Sequence, residues 1–130
     1  WTPEFSRRAR SLPVYAVLRH LGRDGVTELV DRLCSCADRF ATRLGALPGV
    51  EVLTHGLNQV LVRLADDADT TDRVVRQVQR DGTCWMSATT WRGQRCMRIS
   101  VCNWRTTVDD VDRSVEAVVR AVGTVAGHTA

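Results

Sequence analysis

The strongest constraint on the fold is a change of rhythm in the apolar residues. From Val26 they recur at Leu29, Val30, Leu33, Ala37, Phe40, Ala41, Leu44 and Leu47, the three-and-four spacing that lines one face of an α-helix. Beyond Gln59 the spacing falls to two, first at Val60, Val62 and Leu64 and again at Met97, Ile99 and Val101, the period of a strand with one covered face. It returns to helical spacing at Val108, Val111, Val115, Val118, Val119 and Val122, with Val125 continuing the stripe. A chain that must close helical stripes against a pleated face is a layered α+β structure.

Local punctuation marks the elements. Ser11 caps a first helix with Pro13 in its opening turn, where a missing N–H costs nothing, and that helix carries Val14, Val17, Leu18 and Leu21 before Gly22 stops it. Arg23-Asp24-Gly25 reads as the connection to the second helix, which Pro48-Gly49 ends. Val50 to Leu53 is a short strand and Gly56 a turn. Asp69, Thr70 and Thr71 cap a helix bearing Val74, Val75 and Val78, broken at Gly82. Cys84, Met86 and Ala88 then alternate with Trp85, Ser87 and Thr89, and a turn at Arg92-Gly93 folds this strand onto Met97 to Val101 as a hairpin. Thr106 or Thr107 caps the last helix, with Asp109 and Asp110 in its first turn. The resulting order is helix, helix, strand, strand, helix, hairpin, helix: an α+β fold with a mostly antiparallel sheet and helices packed on one face. Residues 1–25 form an irregular arginine-rich segment and a docking helix, and residues 26–130 the α+β domain.

All 18 basic side chains are arginine, from Arg7 to Arg120, and there is no lysine. Lysine is the side chain that loses its proton when buried and forms Schiff bases, whereas arginine stays charged and binds anions. The net charge of +3 is spread among 15 acids, so nucleic acid is not demanded as a partner. No apolar run approaches the roughly 20 residues that span a bilayer, and no secretory leader is visible. Five cysteines with no C-x-x-C pair argue against a closed disulfide framework and for a cytoplasmic setting; Cys34 and Cys36 read as buried filler or surface thiols.

Catalytic and metal chemistry is thinly provided. His20, His55 and His128 form no H-x-x-x-H or H-E-x-x-H arrangement, and no nucleophile elbow, P-loop or dinucleotide fingerprint occurs. Asp66-Asp67 and Asp109-Asp110 read as loop and helix-start charges. Arg7, Arg8 and Arg10 lie together before a helix start, where backbone N–H groups add positive potential, and form a candidate anion site or an interface with a partner domain. Arg98 is the second candidate. It stands mid-strand, facing away from Met97 and Ile99, and would bind a ligand anion or pair across the sheet. Trp85 and Trp91 frame the hairpin and are expected to cover the core or an interface; with Trp1 and Trp104 they also suggest a stacking platform.

The block from Glu4 to Gly25, EFSRRARSLPVYAVLRHLGRDG, resembles the start of the C-terminal part of group II pyridoxal-phosphate-dependent amino acid decarboxylases, the family of aromatic L-amino acid and glutamate decarboxylases. The run from Met97 to Thr107, MRISVCNWRTT, followed by Asp109 and Asp112, is similar to the family's last strand and final helix. The element order between them agrees with the small domain of fold-type I enzymes. The resemblance implies a domain that closes the cleft of a larger carboxy-lyase, supports a homodimer and is inactive alone. It implies pyridoxal 5'-phosphate in the complete enzyme, bound mainly by an upstream domain that supplies the catalytic lysine, and an amino acid as substrate. It also implies that Arg7 meets a substrate carboxylate, that Arg98 matches a strand arginine that binds the α-carboxylate in related aminotransferases, and that Arg8 and Arg10 hold domain or dimer contacts. The alternative is an independent ferredoxin-like module that binds amino acids or dimerises.

Overall fold

The computed structural model describes residue 9, residues 11–64 and residues 68–127. The elements follow as α1 (Ser11–Gly45), β1 (Val50–Gly56), β2 (Gln59–Leu64), α2 (Ala68–Asp81), β3 (Ser87–Trp91), β4 (Gln94–Ser100) and α3 (Val108–Gly127). The four strands make one sheet in the order β1-β2-β4-β3, with every neighbouring pair antiparallel. The segment from β2 through α3 has the strand-helix-hairpin-helix course of a ferredoxin-like fold. Here, however, the edge place beside β2 is taken by a strand that precedes it.

The change of rhythm in the sequence is the packing. Val60, Val62 and Met97 are wholly enclosed, and they join Leu44 of α1, Val74 and Val78 of α2, and Val111 and Val118 of α3 in one core. Closing a side chain of this size away from water stabilises by about 1.5–3 kcal/mol. α1 and α2 lie against the sheet and α3 packs on both helices, so the expected arrangement with helices on one face holds. Thr71, fully buried, donates its hydroxyl to the carbonyl of Leu64 at 3.2 Å and so ties the start of α2 to the end of β2.

Polar straps run between the elements. Arg39 of α1 grips Asp112 of α3 through Nε and Nη2, both at 2.7 Å, and Arg43 adds a contact at 3.1 Å. The hydrogen bonds from Arg39 hold the Asp112 carboxyl below its ordinary value. Arg95 of β4 reaches Asp72 of α2 at 2.8 Å, and Arg120 of α3 reaches Asp81 at 3.1 Å. Of the two candidate caps for α3, Thr107 is the one used. Its hydroxyl accepts the Asp110 N–H at 3.2 Å, while the Asp110 carboxylate accepts both the N–H and the hydroxyl of Thr107. Those two bonds, with a contact from Arg113, bring the Asp110 carboxyl down to about 2.

One expectation needs correction and one is narrowed. Arg23-Asp24-Gly25 is helical rather than a connection, and only Gly22, at φ 64° and ψ −172°, leaves helical geometry. Gly25 eases the close approach across the kink, since a Cβ there would lie 3.1 Å from the Leu21 Cβ, a tight contact. Of the two places expected for Trp85 and Trp91, core or interface, the core is excluded: they are 76% and 41% exposed. Regular β3 starts only at Ser87, so Trp85 precedes the strand and Trp91 ends it.

Candidate functional site

The uncovered face of the sheet carries the candidate site. On β4, Met97 and Ile99 face the core, so the pleat turns Arg98 to the opposite side, as the sequence leads one to expect. It stands opposite Leu61 of β2 and Ser87 of β3. A groove of about 430 Å³ opens beside it, lined by Thr54, Asn58, Leu61, Thr89 and Trp91 among others. Asn58 fixes one end of this groove. Its side-chain amide donates to the Val101 carbonyl at 2.9 Å and its own carbonyl accepts the Val101 N–H at 2.8 Å, tying the β1–β2 turn to the end of β4. Leu57 at the tip of that turn adopts φ 50° and is 77% exposed.

The electrostatics of the groove come from one group. Arg98 makes no hydrogen bond or ion pair with another described residue, whereas Arg95 on the same strand is held by Asp72. Farther along the open face, Arg63 and Glu51 sit opposite each other in register and pair at 2.5 Å, which leaves that carboxylate occupied. Among the described residues the lining contains no cysteine, lysine or carboxylate, and its one histidine, His55, lies 3.5 Å from Asp38. The arrangement is suited to holding a small anion: an unpaired guanidinium offers a planar fork to a carboxylate.

Arg7, Arg8 and Arg10 lie outside the described residues, as do Trp1, Asp66, Asp67 and His128. Sequence reasoning missed Asn58, Leu61 and Thr89 as neighbours of Arg98. The signal was available, because the alternation that puts Val60 and Val62 inside puts Leu61 on the face of Arg98.

At 25% identity over 112 residues, the chain is similar to 3,4-dihydroxyphenylacetaldehyde synthase of Aedes aegypti, matching 86% of this chain and 22% of that protein. It is likewise 25% identical over 126 residues to histidine decarboxylase of Drosophila melanogaster, matching 96% of this chain and 15% of the other. No family model matches. Among solved structures, Oryza sativa TDC with PLP and tryptamine superposes with a TM-score of 0.82 at 17% identity, covering 91% of this chain and 27% of that one. The chain has the fold of a decarboxylase's small domain. It spans about a quarter or less of the length of these relatives.

Pyridoxal phosphate, present in that rice structure, does not fit this chain as its covalent host. The cofactor is anchored through a lysine amine, and these 130 residues contain none. The described groove offers a single arginine and no basic amine.

Proposed function

We propose that the chain is the C-terminal domain of a pyridoxal-phosphate-dependent amino acid decarboxylase, a carboxy-lyase. In this reading an upstream domain supplies the cofactor site and the lysine, and the complete enzyme works as a cytoplasmic homodimer on an amino acid. The observation that carries it is the superposition over 91% of the chain on one quarter of such an enzyme, joined to sequence similarity with two curated relatives. The free cysteines Cys34, Cys36, Cys84, Cys96 and Cys102 accord with a reducing compartment.

The domain's own contribution is positional. Arg98, rigidly placed on a strand and without a partner among the described residues, receives a substrate carboxylate at the wall of the cleft, and the cofactor supplies the electron sink for loss of carbon dioxide. Arg7 meets the side-chain carboxylate where the substrate is acidic, and Arg8 and Arg10 make domain or dimer contacts. The amphipathic arm of α1 before Gly22 docks against the rest of the enzyme: Leu12, Val14, Tyr15, Val17 and Leu18 are each more than half exposed on this chain.

The test starts from the protein as its source makes it. Isolated under mild conditions, the polypeptide containing this sequence should be several times larger than 14.5 kDa, bind pyridoxal phosphate through a borohydride-reducible link and release carbon dioxide from an amino acid. In that enzyme, Arg98→Gln and Arg7→Ala should each raise KM for the substrate by about tenfold or more without loss of folding, the loss expected for a hydrogen bond to a charged group. A native 14.5 kDa protein without the cofactor overturns the reading.

A further inference from the structure

A larger cavity, of about 680 Å³, opens away from Arg98, between Phe40 of α1, the first turns of α3 and the chain around Trp85 and Asn103. Its floor is apolar and closed: Met86, Ile99, Val101 and Val111 are at most 4% exposed. Trp85 stands on its rim, 76% exposed. Arg105 supplies its positive charge.

The loop that carries Arg105 is held in place from several directions. The Asn103 side-chain oxygen accepts the Arg105 N–H at 3.0 Å, its carbonyl accepts the Thr106 N–H at 3.0 Å, and Arg32 of α1 donates to the Trp104 carbonyl at 2.6 Å. The Arg105 guanidinium lies 5.7 Å from the centre of the Trp104 ring and makes no hydrogen bond or ion pair with another described residue. Asp110, the acid in the lining, is committed to Thr107 and Arg113. The half-open cavity therefore combines an apolar base, polar walls from Thr83, Asn103 and Ser114, an aromatic rim and one cation, Arg105, on an ordered loop. Sites for small molecules are built this way, with an apolar body of about 300–1,000 Å³ and a few fixed polar groups.

We infer that this cavity binds a small carboxylate with an apolar body, the anion on Arg105 and the apolar part on the floor beside Trp85. The site is separate from the Arg98 groove and does not rest on the decarboxylase reading. The guanidinium attracts the anion, and the floor removes the attached ring or alkyl group from water.

The polypeptide containing this sequence, as its source makes it, is titrated with 3-phenylpropionate while the indole N–H resonances of Trp85 and Trp104 are followed by NMR. Saturable shifts at both rings are expected. Arg105→Gln should weaken binding about tenfold or more, as should replacing the ligand by neutral 3-phenylpropionamide, while Arg98→Gln leaves it unchanged. Trp85→Ala, a change at an exposed side chain, should also weaken it severalfold with the circular dichroism spectrum intact. Absence of a saturable shift overturns the proposal. So does full binding by Arg105→Gln, or loss of binding in Arg98→Gln with the shifts appearing at Trp91.

Discussion

On one side of β4, Met97 and Ile99 are sealed under the helices; on the other, one residue away, Arg98 and Ser100 meet solvent. The same contrast runs along β2, where Val60 and Val62 are enclosed and Leu61 lines an open groove. The two faces answer to different physics. The covered face is held by packing, where every missing methylene leaves a void. The open face is held by the ladder beneath it, so its side chains are free to be chosen for what they meet. Among the described residues, that freedom leaves the Arg98 guanidinium without a partner.

The largest effect belongs to the covered face. Met97→Ala removes a fully buried side chain and should cost about 2–5 kcal/mol in urea unfolding. A cost comparable to that of a surface change would show that the helices do not clamp the sheet as described. A smaller loss is expected for Asp112→Asn, which releases Arg39 and Arg43 and loosens α1 from α3. Because these groups are partly solvated, the difference from wild type should shrink as salt rises.

Acid should loosen the contacts within the helical layer. The Asp110 carboxyl has its folded value depressed to about 2 from 3.8, so its support of the α3 N-terminus is full above 3.8 and is lost as pH falls through 2. Asp112 and Asp81, also depressed, lose their contributions on the same acid side. A pH series of unfolding midpoints should therefore decline below pH 3.8, and Asp110→Asn should flatten that decline. The smallest change is on the open face: Arg98→Gln should alter stability by no more than about 0.5 kcal/mol. A large destabilisation there would make Arg98 a structural residue and remove the contrast between the faces.

Much of the fold was legible because burial has a period. The two-residue alternation of Val60, Val62, Leu64 and of Met97, Ile99, Val101 placed the central strands, and the valine stripe placed α3. The stop at Gly22 was legible from chemistry, since φ 64° is a conformation that favours glycine. What followed it was not. Asp24 and Gly25 look like turn residues, yet both are helical and only Gly22 departs from helical geometry. Whether Trp85 lies in the core or on the surface is not legible from its size, because that depends on which neighbouring elements cover it. At the candidate site the orientation of Arg98 could be read from the strand's parity. Its lack of a partner could not, because that depends on where Glu51, Asp72 and Arg63 stand in three dimensions.

The bend at Gly22 also acts as a lever. Helix rises about 1.5 Å per residue, so the eleven residues from Ser11 to Leu21 make an arm of roughly 16 Å, aimed by two backbone dihedrals at one position. A change of about 20° at that hinge would sweep the far end through roughly 5–6 Å, the distance of a full helical turn. The geometry at Gly22 thus decides where the arm carries its exposed apolar side chains, Val14 and Leu18 among them.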